Sequence, residues 1–199
     1  VNVQCNEEGI KVALEAIKKG GVVVLPTDTV YGIGCDPYNH EAVKTIYKIK
    51  GREKTKLLPV LGYSKEEIEK IAFFDELSEK IANKFWPGAV TLILKVKKRE
   101  IANSLNLKGK IAVRVPNHSC LLSLLKECKL LVGTSANLSG LPPFKDSSEI
   151  PSKISGYDVL LDGGKISDSA ESTIVEVIDN KLEIIREGKV KEKELMSIL

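Results

Sequence analysis

Apolar residues recur along the chain at two periods, and the alternation between them outlines the fold. Ile10, Ala13, Leu14 and Ile17 give residues 7–19 one apolar helical face, closed by Gly20-Gly21. Residues 22–25 are a short β-branched run between Gly21 and Pro26, the pattern of a buried strand. Ala42, Val43, Ile46, Tyr47 and Ile49 predict a helix over 39–49, with Gly51 suited to a left-handed cap. Pro59 inside the apolar stretch 57–61 predicts an edge strand or one that begins after the proline. Ser64 with Glu67 is a capping-box signature for a helix over 65–71, and 75–85 reads as another, ended by Trp86-Pro87-Gly88.

The second half is richer in strands. Residues 89–96 and 110–115 are strand-like, and in the latter Ile111, Val113 and Val115 alternate with Ala112 and Arg114. A leucine-rich helix over 119–128 leads into a buried strand over 130–132. The Pro-, Ser- and Gly-rich segment 139–155 is expected to lie over the surface. Strands follow over 157–161, 173–178 and 182–186, and 189–199 reads as a short, charged closing helix. Early alternation of strand and helix with late strands predicts a single α/β domain over 1–199. Its sheet should be twisted and mixed, flanked by helices, with an open cleft beyond the strand ends.

Composition narrows the function classes. With 199 residues, 43% of them hydrophobic, a sizeable core is affordable. A net charge of +3 does not mark a dedicated nucleic-acid binder, although Lys97, Lys98 and Arg99 form a local basic tip. No apolar run reaches membrane-spanning length, so no membrane partner is expected. Cys5, Cys35, Cys120 and Cys128 are scattered without a CxxC pair, which predicts reduced thiols in a cytoplasmic protein. His40 and His118 lack partners at metal-ligand spacing and read as structural or solvated. There is no GxxxxGK[ST] run, Pro37 occupies the third glycine's place of a GxGxxG begun by Gly32 and Gly34, and no GxSxG elbow exists. Covalent catalysis finds little support.

What remains is a series of hydroxyl-rich and cationic tips on strands and helices. Thr27, Asp28, Thr29 and Tyr31 follow the first buried strand, and Lys50, Arg52, Lys54 and Lys56 follow the second helix. Thr134, Ser135, Asn137 and Ser139 lie just past the strand over 130–132. Arg114 is a lone charge in an apolar alternation, and Glu171-Ser172-Thr173 and Arg186-Glu187-Gly188 repeat the theme. Each has an ordinary alternative: turn formation, complement to a helix dipole, or a solvated surface. Converging on one cleft, they would hold anions.

Seven runs carry a family resemblance: PTDTVYGIG (26–34), KGR (50–52), FWPGAVTLIL (85–94), IAVRVP (111–116), TSANLSG (134–140), ESTIV (171–175) and IIREG (184–188). In this order they resemble the YrdC/Sua5 family of threonylcarbamoyl-adenylate synthases, in its short form without the optional C-terminal domain. Glu53 and Leu57 depart from prolines common in the family. The resemblance implies that L-threonine, bicarbonate or CO2, and ATP give threonylcarbamoyl-AMP and pyrophosphate, with Mg2+ accompanying ATP. The product would feed N6-threonylcarbamoyladenosine (t6A) formation at position 37 of tRNAs through a partner transferase. It also implies that Lys50 and Arg52 are catalytic and neutralise anions, and that Thr27, Thr29, Tyr31 and Arg52 line the threonine pocket. Lys50, Lys56, Thr91, Arg114, Thr134, Ser135, Asn137, Ser172 and Arg186 would face the nucleotide and its phosphates. The rivals are an RNA-binding module without turnover, for which direct tRNA contact is a weak expectation here, and carbamoyl-adenylate formation as in hydrogenase maturation proteins.

Overall fold

The computed structural model describes residues 1–167 and 170–198. The first half contains β1 (Asn2–Gln4), α1 (Glu7–Lys18), β2 (Val23–Leu25), β3 (Gly32–Gly34), α2 (His40–Lys50) and β4 (Val60–Gly62). It continues with α3 (Lys65–Glu69), β5 (Ala72–Phe73), α4 (Glu76–Phe85), β6 (Val90–Val96) and α5 (Arg99–Ser104). Then come β7 (Lys110–Arg114), α6 (Ser119–Cys128), β8 (Leu130–Val132), β9 (Thr134–Ser135) and a 3-10 turn (Ser147–Ser152). The chain closes with β10 (Val159–Asp162), β11 (Thr173–Ile178), β12 (Lys181–Arg186) and α7 (Glu192–Met196).

The α/β class and the mixed strand directions agree with the sequence pattern, but the strands divide between two sheets. One has the order β1-β10-β2-β3-β9, the other β12-β11-β6-β7-β4-β8, with β5 paired to β6. In the larger sheet β6 runs parallel to β11 and antiparallel to β7, so no single βαβ repeat accounts for it. The chain steps from one sheet to the other at Gly133, between β8 and β9. A Cβ there would lie 2.3 Å from Leu61 Cδ1, and one at Gly34 would lie 2.1 Å from the Val132 carbonyl oxygen. Gly34 lets two backbones approach and Gly133 makes room for the Leu61 side chain, where an added side chain would force the neighbours apart.

Alternation along β6 and β7 decides which face of the large sheet is core. Val90, Leu92 and Leu94, with Ile111, Val113 and Val115, are buried against Ile46, Ile81 and Ile101. A second core joins α1 and α6 to the smaller sheet through Ala13, Ile17, Leu121, Leu124, Leu125, Val23 and Leu161. Both clusters rest on the hydrophobic stripes read from the sequence, and each buried aliphatic side chain contributes about 1.5–3 kcal/mol. Thr91, Ile93, Ala112 and Arg114 occupy the opposite face of the large sheet.

Of the two forms expected around Pro59, the strand that begins after the proline is the one formed: β4 starts at Val60 and is paired on both sides by β7 and β8. A proline just ahead of the strand leaves the inner ladder intact. Other local expectations are corrected. The segment 139–155 is not wholly superficial, since Ile150 and Ile154 are buried in the larger core. Gly32 and Gly34, the first glycines of the broken GxGxxG, lie in a strand, β3. The closing helix is limited to α7, and Leu199 lies outside the described residues. Among the described residues no helix is long and apolar enough to cross a membrane.

The cysteine expectation also fails. Cys5 and Cys120 form a disulfide across a sequence separation of 115, with Cα atoms 6.0 Å apart. Cys5 follows β1 and Cys120 lies in the first turn of α6, so only the packing of α1 on α6 brings them together. Spacing along the chain carries no trace of that contact. Cys35 and Cys128 remain thiols, and burial pushes Cys128 up to about 12 and Cys35 higher still, so neither is a ready thiolate. Cys120→Ser should destabilise the chain by about 2–4 kcal/mol. Urea unfolding with and without dithiothreitol checks this, and coincident curves would show that the bridge is not formed in solution.

Candidate anion-binding cleft

The polar face of the large sheet forms the floor of a cavity of about 350 Å³, lined by Thr91, Ile93, Ala112, Arg114 and Ile174. One wall is the β2–β3 connection, with Thr27 and Thr29, and a second is the β8–β9 crossing, with Gly133, Thr134 and Ser135. Arg52 and Lys56 enter from the chain after α2, and Glu171, Ser172 and Arg186 from the tips of β11 and β12. Seven separate segments meet here, the convergence on one cleft that the sequence reading proposed.

The β2–β3 wall is built by its own hydroxyls. The Thr27 hydroxyl donates to the Val30 carbonyl at 2.7 Å and accepts from the backbone N–H groups of Thr29 and Val30. Its oxygen lies 2.9 Å from Thr29 Oγ1, which in turn accepts from Arg114 at 3.2 Å. Arg114 also donates to the Gly88 carbonyl at 2.8 Å and to Asp28 Oδ1 at 2.5 Å. Burial lowers the pKa of this guanidinium, with Asp28 opposing and Arg186 adding to the fall. Arg114 is thus a buried, compensated charge that fixes Thr29. Removing Asp28 alone would leave it uncompensated.

Lys50 stands behind the β8–β9 wall. It is 2% exposed, and its ammonium donates to the carbonyls of Ser135 and Asn137 and to Asn137 Oδ1. Among the described residues no carboxylate is bonded to it. Burial first, and then Arg52, hold its pKa down to about 8, with Glu171 opposing. Three neutral dipoles orient this cation without cancelling its field, which reaches the cleft through Ser135.

Two further guanidiniums, Arg52 and Arg186, line the cavity and are less deeply buried than Arg114. The Arg52 N–H bonds to the Tyr47 carbonyl at 3.0 Å, and with Gly51 left-handed at φ 56° this closes α2 and launches the side chain into the cleft. Arg52 donates from NH2 to the Leu57 carbonyl at 3.0 Å, and Arg186 donates to Glu171 at 3.0 Å and to the Ser172 carbonyl at 2.9 Å. Burial lowers the pKa of Arg52, Tyr47 opposes, and Arg186 lowers it further, so the second cation is near enough to act on the first. Among the described residues four buried side-chain polar atoms lack a partner, and two are the Nε atoms of Arg52 and Arg186. Donors left unbonded in a cationic cavity are suited to an incoming oxyanion. Beside them Thr91 and Ser172 share a 2.9 Å hydroxyl contact.

Comparison with known proteins now bears on this site. A model of the Sua5, YciO and YrdC proteins, described as telomere recombination, matches residues 15–188. The chain belongs to this family. A Methanocaldococcus jannaschii relative, which bears the name "Putative threonylcarbamoyl-AMP synthase", is 38% identical over 194 residues, covering 94% of this chain and 91% of its own. The crystal structure of Pyrococcus abyssi Sua5 complexed with L-threonine superposes with a TM-score of 0.90 at 30% identity. That alignment covers all of this chain and 59% of the Sua5 chain. Escherichia coli YciO superposes with a TM-score of 0.85 at 25% identity, over 98% and 97% of the two chains.

Against this Sua5/YciO/YrdC frame, ten of the thirteen residues singled out in the sequence line the cavity: Thr27, Thr29, Arg52, Lys56, Thr91, Arg114, Thr134, Ser135, Ser172 and Arg186. Tyr31, Lys50 and Asn137 do not. Asn137 serves Lys50 and the Leu138 and Leu141 carbonyls. Tyr31 is fully buried, and its hydroxyl donates to the Gly164 carbonyl at 2.7 Å and accepts from the Gly163 N–H at 3.0 Å. The ring points away from the cavity because alternation along β3 turns it into the core, where it braces two segments against each other. Glu171, a lining carboxylate, and Asp28, the partner of Arg114, were missed as site residues. Acidic residues run against the search for cations, although both stand inside the quoted motifs. Tyr31→Phe should lower unfolding free energy by about 1–3 kcal/mol, since it strands two backbone groups. Urea titration measures this, and an unchanged midpoint would remove the bracing role.

Proposed function

We propose that the chain is an L-threonylcarbamoyladenylate synthase, a nucleotidyltransferase that joins L-threonine, bicarbonate or CO2, and ATP into threonylcarbamoyl-AMP with release of pyrophosphate. The observation that carries this reading is the pair of guanidiniums, Arg52 and Arg186, that line one cavity backed by Lys50, each with an Nε that bonds nothing in the chain's described residues. Relatives named for this synthesis, and a Sua5 structure complexed with L-threonine, support it.

The chemistry asks for what the cleft contains. Threonine's amine takes up CO2 as a carbamate, whose oxygen attacks the α-phosphorus while the bond to the pyrophosphate leaving group breaks. Three anionic groups must be crowded together, and fixed cations remove their mutual repulsion without having to reorient. Arg52, Lys56 and Arg186 hold phosphate or carboxylate oxygens directly. Lys50 contributes its field and holds the Ser135 and Asn137 carbonyls in place. Arg114, neutralised by Asp28, sets the Thr29 hydroxyl, and Thr27 and Thr29 face the amino acid. A site that bonds threonine's hydroxyl disfavours an amino acid lacking it, because its own polar group is then left unpaired. A magnesium ion bound with ATP would offset phosphate charge. Among the described residues no group of three acidic, histidine or cysteine side chains is placed to hold a metal alone, so phosphate and water would be its main ligands. We place the reaction in the cytoplasm, with the product passed to a transferase that modifies tRNA to t6A.

Pyrophosphate release from ATP should require both L-threonine and bicarbonate. Arg52→Ala should reduce kcat/KM by about 10²-fold or more while the circular dichroism spectrum stays unchanged. Release that ignores threonine, or full activity in Arg52→Ala, would refute this assignment.

A further inference from the structure

A carboxylate is an odd neighbour for a triphosphate. Glu171 lines the cleft among Arg52, Lys56, Arg114 and Arg186, where a negative charge repels the anions that the arginines attract. Asp28 is explained by Arg114, which it contacts at 2.5 Å with only 12% of its side chain exposed. Glu171 is different. Its side chain is 38% exposed, Arg186 engages Oε1 alone at 3.0 Å, and among the described residues no donor is bonded to Oε2.

The surrounding backbone holds this carboxylate in place. The Glu171 carbonyl accepts from the Lys189 N–H at 2.9 Å, and a Cβ on Gly188 would lie 2.2 Å from that carbonyl oxygen. The Arg186 NH2 group also bonds the neighbouring Ser172 carbonyl at 2.9 Å. A carboxylate with one oxygen unengaged and the guanidinium that holds its other oxygen therefore sit side by side on a fixed strand tip. That is one acceptor of a cation and one donor to an anion, next to each other. Of the substrates in the reading above, one carries the same two charges on adjacent carbons: the amino acid in its zwitterionic form.

We infer that Glu171 receives the ammonium group of the amino-acid substrate and that the Glu171–Arg186 pair selects a zwitterion over a simple hydroxy acid. The inference rests on the synthase reading and assigns the carboxylate that reading leaves unused. Glu171 excludes ligands that bring only negative charge to its end of the cleft, and leaves the phosphates to Arg52 and Lys56. Its role is to bind the ammonium rather than a metal, since a single carboxylate edge suits one cationic hydrogen-bond donor.

The test compares L-threonine with 3-hydroxybutanoate of matching configuration at C3, which keeps the carboxylate and hydroxyl but lacks the ammonium. Calorimetry on the full chain should show threonine binding about tenfold or more tightly in the wild type. In Glu171→Gln the gap should close to about twofold or less, because threonine loses its ammonium partner while 3-hydroxybutanoate is no longer repelled. Glu171→Asp, a shorter carboxylate, should restore part of the gap, and unfolding midpoints confirm that each variant is folded. A gap that persists in Glu171→Gln, or a wild type with no gap, overturns the inference. So does a variant that loses ATP affinity only with magnesium while keeping the gap, which would assign the carboxylate to the metal. A wild type without threonine-dependent pyrophosphate release would sink the synthase reading itself; release with the gap intact in Glu171→Gln would sink the ammonium assignment alone.

Discussion

Positive charge taken out of water without a matching anion is the constraint around which this structure is arranged. The three ways the cleft treats its cations make the point. Arg114 is compensated by Asp28 and each of its three nitrogens is bonded, so it behaves as a structural element. Lys50 is held only by neutral oxygens and its pKa falls to about 8. Arg52 has no carboxylate bonded to it among the described residues and Arg186 lowers its pKa further, Arg186 is held on one side by Glu171, and each keeps an unbonded Nε. An arrangement of this kind costs folding free energy, because desolvation is not repaid within the protein. Two apolar cores and a disulfide bear that cost, and a bound oxyanion would relieve it.

The fold explains how residues so distant in sequence are held in one place. A sheet with one face packed and the other open offers a rigid floor, and β6 and β7 deliver Thr91 and Arg114 to it by simple alternation. The second sheet supplies the walls, because the chain crosses between sheets at Gly133 and returns through the β2–β3 connection. Tyr31 ties these walls together: its N–H bonds the Phe144 carbonyl, its carbonyl accepts from Ala136, and its hydroxyl bonds Gly163 and Gly164. Motion of any one wall would disturb the others. Catalysis by positioning needs such stiffness, since fixed cations help only if they need not rearrange.

The sequence made local features legible and left long-range ones hidden. Helix α2, its left-handed Gly51 and the departure of Arg52 were all written in a 3.6-residue periodicity ending in Lys-Gly-Arg. Arg114 was conspicuous as a charge in an apolar alternation, and its burial follows from the open face it occupies. The division into two sheets was not legible, because β1, β3, β5 and β9 span two or three residues each and carry no periodicity. Tyr31 was expected in the cleft because its hydroxyl suits a ligand, yet the strand it precedes turns the ring inward. Lys50 and Asn137 were read as contact residues and stand one layer behind. The Cys5–Cys120 bridge depends on α1 packing against α6, a contact that neither cysteine's neighbours encode. Glu171 was hidden for a chemical reason, since a search for anion binders passes over carboxylates.

Waiting, desolvated cations lead to one consequence that can be read directly as protons. An anion beside Lys50 raises the pKa of its ammonium from about 8, so triphosphate binding near that pH must draw a proton from solution. Calorimetric titration of ATP at pH 8, repeated in buffers of different ionisation enthalpy, counts the protons exchanged. Net uptake that rises as pH approaches 8 from below, and disappears in Lys50→Met, is the expected result. Tight ATP binding with no proton uptake at any pH between 7 and 9 would contradict the claim that the cleft stores unmatched positive charge.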